Sequence, residues 1–120
     1  MNKIAMFCAV VVLPILPAFA RADSLTSDQQ RACRWSGGLA PAEVANVFEA
    51  SGQYLGQDQG FSDRVLVGYS FSEDTGVVVG FMPGSRGGLI SYSLEVVGFA
   101  APAWFSEDCR AIAKEYLPTD

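Results

Sequence analysis

The side chains in this sequence that suit acid–base chemistry are carboxylates, and they include two adjacent pairs, Glu73–Asp74 and Glu107–Asp108. A glycosidase needs two carboxylates that face each other across a cleft, one of them with a raised pKa. Neighbours in a sequence do not normally face each other. Turn formation explains the first pair, and the start of a helix explains the second. A small carboxylate-dependent hydrolase is therefore only the second alternative to a binding function.

The chain has no histidine and three cysteines. The absence of histidine removes the commonest general base, together with the Ser-His and Cys-His nucleophile arrangements. It also excludes zinc sites built from cysteine and histidine. We therefore predict a protein that is not an enzyme, with no catalytic, cofactor-binding or metal-binding residue and no cofactor.

Residues 1–22 have the pattern of a bacterial secretory signal peptide. Lys3 supplies a positive charge, residues 4–20 form an apolar run, and the alanines at 18 and 20, or at 20 and 22, give the small-x-small pattern that a signal peptidase accepts. An uncleaved membrane anchor is the alternative, but the run is short for a bilayer span. Cleavage leaves residues 23–120 as a single exported domain, periplasmic or secreted, without stable membrane insertion.

The chain is acidic, with a net charge of −5. Lys3 and Arg21 would leave with the signal peptide, which makes the exported domain more negative still. Such a surface does not attract nucleic acid or anionic lipid. We expect a protein partner, and a basic one fits the charge best. The alternative is that the acidity only keeps a small exported protein in solution.

Two cysteines, Cys33 and Cys109, remain after cleavage because Cys8 lies within the signal peptide. An even number of thiols in an oxidising compartment predicts a disulfide. The long loop that this bond closes makes it worth ~4–5 kcal/mol in the chain-entropy treatment. Two separate buried thiols are the alternative.

Periodicity and capping predict the elements that position these residues. Ser27 and Gln30 form a capping box before a short helix that ends at Gly37–Gly38, and a second helix covers 41–55. Alternation predicts strands over 64–72, 77–82 and 89–99, and Ser106 caps a last helix that Pro118 ends. The prediction is an α+β fold in which a small three-stranded antiparallel meander has helices packed on one face, in the order α-α-β-β-β-α, with one disulfide.

Three features are candidates for contact with a partner. The glycine-rich turn at 83–88 can form an anion-binding nest, although it lacks a phosphate-loop lysine and a plain hairpin turn explains it too. Small residues are expected on one side of the sheet and large ones under the helices, and an ordinary solvated face is the alternative. Trp104 lies near a chain bend, where an aromatic side chain either anchors a partner or closes the core. The candidate contact residues are Ser85, Arg86, Ser70, Ser72, Ser91, Ser93 and Trp104.

The leading functional prediction is an exported, non-enzymatic binding protein of the bacterial envelope. In its most specific version it is an inhibitor or immunity-type protein that blocks a basic enzyme with a rigid loop or an acidic rim. The first alternative is a structural or assembly accessory of an envelope or secretion apparatus, which strand addition at a sheet edge would serve.

Overall fold

Three α-helices and a four-stranded antiparallel sheet make up residues 25–118, the part of the chain that the computed structural model describes. The α+β class is confirmed, and the predicted signal peptide, residues 1–22, lies outside the described residues. No helix within residues 25–118 has the length and apolar character that a membrane crossing requires. In chain order the elements are α1 (Ser27–Ala32), α2 (Pro41–Phe48), β1 (Gly52–Gln57), β2 (Val65–Ser70), β3 (Gly76–Pro83), β4 (Leu89–Val97) and α3 (Glu107–Glu115).

The predicted three-stranded sheet and its order α-α-β-β-β-α are wrong in one element. Residues 52–57 form the strand β1, whereas the sequence favoured a helix over 41–55 because apolar residues recur at helical spacing beyond Phe48. The helix ends because Glu49 adopts a left-handed backbone conformation, with φ 54°, at its C-cap. The chain then leaves the helix axis and extends along β2.

Two arginines bind the C-terminal end of α2: Arg31, which belongs to α1, and Arg34, which follows α1. Arg31 donates from Nε to the carbonyl oxygen of Phe48 at 2.8 Å and from Nη1 to that of Phe71 at 3.3 Å. Arg34 donates from Nη1 to the carbonyl oxygen of Val47 at 3.0 Å. The last carbonyls of a helix lack partners within the helix and carry partial negative charge. The two arginines donate hydrogen bonds to these carbonyls and place positive charge beside them. They therefore stabilise the end of α2 at Phe48.

The sheet has the strand order β1-β2-β3-β4, and its core lies between one face and the helices α1 and α2. Phe48 of α2 packs its ring against Tyr69 of β2, with the ring centroids 5.7 Å apart. Because side chains alternate along a strand, every second residue enters this core. The buried core residues are Ala32, Leu39, Val44, Val47, Phe48, Tyr69, Val77, Val79 and Phe81.

The capping box of α1 is displaced by one residue from the predicted Ser27–Gln30 pair. Thr26 is the N-cap: its Oγ1 accepts from the Gln29 N–H at 3.2 Å, and the Thr26 N–H donates to Gln29 Oε1 at 2.9 Å. Both pairs, Ser27–Gln30 and Thr26–Gln29, match the spacing of a capping box, in which Ser or Thr is followed three residues later by Glu or Gln. The observed pair also lets Gln29 Nε2 donate to the carbonyl oxygen of Ala100 at 3.0 Å, a contact that no local pattern predicts.

The predicted disulfide between Cys33 and Cys109 is present, with the two Cα atoms 5.2 Å apart. Cys33 is the C-cap of α1, and Cys109 lies in the first turns of α3. The predicted N-cap of α3 is confirmed, because Ser106 Oγ accepts from the Cys109 N–H at 3.2 Å. The bond therefore joins the first helix of the described region to the last.

Candidate functional site

The face of the sheet opposite the helices carries the candidate site, and we call it the open face. Directly opposed residues of paired strands point to the same side, so the strand pairing defines its members. Glycines and small or partly exposed side chains dominate it, in contrast to the sealed core on the other face. The open face comprises Gln53, Leu66, Gly68, Ser70, Gly76, Val78, Gly80, Ser93, Glu95 and Val97.

A hollow of about 280 Å³ opens on this face beside the β2–β3 turn. Gly68 and Gly76 are among the residues that line it. Leu55 and Val97 are its apolar walls, and they are 51% and 48% exposed. Leu55 also lies over Gly68, where an added Cβ would come within 3.2 Å of Leu55 Cδ1. A side chain at position 68 would therefore displace Leu55, whereas one at position 76 would meet the backbone of β2 at Tyr69.

Two exposed carboxylates, Glu73 and Asp74, stand at the rim of the hollow. Hydroxyl groups hold the turn that carries them: Ser72 Oγ lies 2.6 Å from Thr75 Oγ1 and accepts from the Thr75 N–H at 3.2 Å. The rim charges therefore project from an ordered turn. Apolar walls below an acidic rim fit a lysine or arginine side chain, which has an apolar stem and a cationic head.

A second cluster lies at the other end of the open face, around Tyr92. Its ring crosses Gly80, where an added Cβ would lie 3.0 Å from the ring atoms Cε1 and Cζ. The Tyr92 hydroxyl donates to Asp58 Oδ2 at 3.0 Å. The Arg64 guanidinium carbon lies 3.9 Å from the centroid of the Phe61 ring and 4.8 Å from that of Tyr92. This cluster ties the β1–β2 loop to β4.

The environment of Asp58 lowers the pKa of its carboxyl group. The largest cause is the Gly60 N–H, which donates to Oδ1 at 3.0 Å, and the Tyr92 hydroxyl and the Arg64 charge act in the same direction against partial desolvation. A general acid at neutral pH needs a raised pKa instead. The geometry therefore suits Asp58 to pinning the loop rather than to donating a proton.

The structure separates most of the predicted contact residues. Ser70 and Ser72 line the hollow together. Ser93 lies on the same face, opposite Gly80 and away from the hollow. Ser85 and Arg86 are exposed in the turn between β3 and β4, which is at the opposite end of the strands from the hollow.

Small residues were expected on the side of the sheet away from the helices and large ones under the helices, and this is wrong for Ser91 and Tyr92, which lie on the opposite faces. Ser91 is 2% exposed on the helix side, and its Oγ accepts from Trp35 Nε1 at 3.0 Å. A β-bulge is the cause: Gly80 pairs with Ser93 but Phe81 pairs with Ser91. Tyr92 is then an extra residue in β4, and the alternation of faces reverses at this point.

Trp104 packs half-buried against the core, in keeping with the alternative that it closes the core. Its neighbour Phe105 is the exposed aromatic, at 90%. The sequence reasoning missed Leu55 and Gln53, which border the hollow, because it assigned Leu55 to a helix. The glycines at 52 and 56 were the signal against that helix, since glycine weakens a helix interior.

The fold and the hollow define a small disulfide-bonded α+β domain with an acid-rimmed open face. Comparison of the chain with protein-family models, with curated proteins and with solved structures found no match. Among the described residues, no group of three or more histidine, cysteine or carboxylate side chains is placed to hold a metal ion.

Proposed function

We propose that the protein is an exported, non-enzymatic binding protein of the bacterial envelope that holds a basic partner protein on its open face. The observation that carries this proposal is the hollow beside the β2–β3 turn, with apolar walls and carboxylates at its rim. In its most specific version the partner is an enzyme, and the protein is its inhibitor or immunity protein.

The distribution of charge supports a basic partner. Arg31, Arg34 and Arg64 contact carbonyl oxygens or aromatic rings of their own chain. The side chains of Arg34 and Arg64 are only 24% and 25% exposed. Glu95 and the two rim carboxylates are exposed on or beside the open face. A partner therefore meets a surface more negative than the net charge of −5 suggests, which favours fast association with a basic protein.

The hollow accounts for specificity better than for overall affinity. A lysine or arginine of the partner would lay its stem against Leu55 and Val97 and place its charge near Glu73 and Asp74. These carboxylates are exposed, so each such ion pair adds only about 0.2–1 kcal/mol. The greater part of the binding free energy would come from apolar contact with the surrounding face.

An assembly accessory of an envelope or secretion apparatus is the second candidate. The observation in its favour is the outer edge of β1, which pairs with no other strand of the described region. A stable stoichiometric complex that co-purifies with the protein at high salt would favour this candidate over a steered encounter with a basic enzyme.

The test compares two variants that remove the same charge from different places. The immobilised protein is exposed to an extract of its own cell envelope and washed with rising salt. We expect a basic protein to be retained at low salt and released as the salt rises. The double variant Glu73→Gln/Asp74→Asn should weaken its retention about tenfold, because two ion pairs are lost.

The matched control is Glu107→Gln/Asp108→Asn, which neutralises an adjacent pair at the start of α3, away from the hollow. It should leave the retention within about twofold of the parent protein. Equal losses in the two variants, or retention of acidic proteins only, would contradict the proposal.

A further inference from the structure

The two outer edges of the sheet differ in whether another segment of the chain hydrogen-bonds to them. Part of the edge of β4 is covered by the chain itself: the Gly38 N–H donates to the Ser91 carbonyl oxygen at 2.7 Å, and the Ser91 N–H donates to that of Leu39 at 2.8 Å. Nothing within residues 25–118 pairs with the outer edge of β1. Its backbone N–H and C=O groups on that side are available to another strand.

β1 also lacks the features that normally protect an edge strand. Charged residues and prolines discourage pairing, and residues 52–57 contain neither, although the chain as a whole is strongly acidic. Tyr54 and Leu55 are 63% and 51% exposed. A bulge between Tyr54 and Gly56 leaves 52–54 as the regular stretch. Repulsion between two copies of an acidic chain is weakest along such an uncharged strand.

We propose that β1 pairs with β1 of a second copy, antiparallel, about a two-fold axis that runs normal to the sheet and passes midway between the two Gln53 residues. This inference goes beyond the proposed function and does not depend on it. Opposed residues of an antiparallel pair point to the same face, so a two-fold pairing must be centred on a residue. Centring it on Gln53 uses the regular stretch 52–54 and joins the two sheets into one.

The side chains of β1 are self-complementary in this register. Tyr54 of each copy lies opposite Gly52 of the other, so a large ring meets a position without a side chain. On the open face the two Gln53 amides meet, and each can donate to the other. The contact is short, at the small end of protein interfaces, below roughly 1,200 Å². The dimer is therefore weak and forms only as the concentration rises.

The first measurement is sedimentation velocity of the protein, as the cell produces it, over a wide range of concentration. We expect the weight-average mass to move from one chain towards two as concentration rises. Tyr54→Lys should abolish this change, because it places like charges beside the axis. Phe105→Lys is the matched control, since it also replaces an exposed aromatic residue by lysine but at a position outside the sheet, and it should still dimerise.

The second measurement tests the register by cross-linking under mild oxidation. Gln53→Cys should form a disulfide-linked dimer readily, because directly opposed Cβ atoms in an antiparallel pair are about 4.5–5.5 Å apart. Gln57→Cys should not, because its two copies would be about 27 Å apart at 3.3–3.4 Å per residue. A constant mass of one chain at every concentration, or equal cross-linking at both positions, overturns the proposal and leaves the edge of β1 to a different protein.

Discussion

Replacing Arg31 with alanine should lower the free energy of unfolding by about 3–4 kcal/mol. Arg31 donates to the carbonyl oxygens of Phe48 and Phe71 and lies over the Phe71 ring, 4.6 Å from its centroid. Charge-assisted hydrogen bonds contribute about 1.5–3 kcal/mol each, and a partly exposed cation–π contact about 0.5–1 kcal/mol. Water will replace part of these contacts because Arg31 is only half-buried, which brings the loss to the lower end of the summed range or slightly below it.

Arg34→Ala is the matched comparison, because it removes the same charge from a position one turn further along the chain. Arg34 donates to one backbone carbonyl, that of Val47, its guanidinium carbon lies 4.7 Å from the centroid of the Tyr116 ring, and its ion pair with Glu49 is solvent-exposed. We expect a loss of about 2 kcal/mol there, the lower end of the sum of these contacts. Arg31→Lys should fall between the two alanine variants, because an ammonium group cannot reproduce the planar fork of the guanidinium.

The assay is urea unfolding with the disulfide intact, followed by tryptophan fluorescence and far-ultraviolet circular dichroism. With a denaturant slope near 1.5 kcal/mol/M, Arg31→Ala should lower the midpoint by roughly 2–2.7 M. If Arg31→Ala is no more destabilising than Arg34→Ala, the reasoning about the end of α2 is refuted. Losses below about 1 kcal/mol in both variants would refute it equally.

Three further outcomes are expected. The double variant Cys33→Ala/Cys109→Ala, which opens a link of sequence separation 76, should lose ~4–5 kcal/mol in urea unfolding, and a loss below about 2 kcal/mol would contradict the entropic account. Asp58 has a folded-state pKa below its unfolded value, so the stability it adds is present above the unfolded pKa and is lost as the pH falls through the folded one. The gap in urea midpoint between the parent protein and Asp58→Asn should therefore close as the pH falls from about 5 to about 2, and a constant gap would argue against this linkage. Gly80→Val should displace the Tyr92 ring and cost about 1–3 kcal/mol, measured by thermal unfolding, and an unchanged Tm would show that the ring does not need the glycine.

Much of the fold could be predicted from the sequence because the signals are local. Alternation over residues 64–72, 77–82 and 89–99 located β2, β3 and β4, and Ser106 located the start of α3. The cysteine count predicted the disulfide because only two cysteines lie outside residues 1–22, the predicted signal peptide. Each of these inferences needs only the neighbouring residues or a count.

The remaining features depend on contacts between segments that are distant in sequence. α2 ends at Phe48, where Glu49 takes the left-handed conformation and Arg31 and Arg34, from outside α2, bind the last carbonyls of the helix; the residues of α2 alone do not predict these bonds. The bulge opposite Phe81 reverses the faces of Ser91 and Tyr92, and it is visible only when β3 and β4 are paired. The hollow was missed for the same reason, since Leu55 reaches it only from a strand.

The chain concentrates its long-range bonds in a few consecutive residues after the start of α1. Arg31 binds α2, Cys33 is bonded to α3, Arg34 binds α2 and stacks on Tyr116, and Trp35 donates to Ser91 of β4. Intolerance to substitution on an amphipathic helix normally recurs every three or four positions. A saturation mutagenesis scan of this protein should instead find one unbroken block of intolerant positions from 31 to 35, so a single codon deletion there would detach several elements from one another at once.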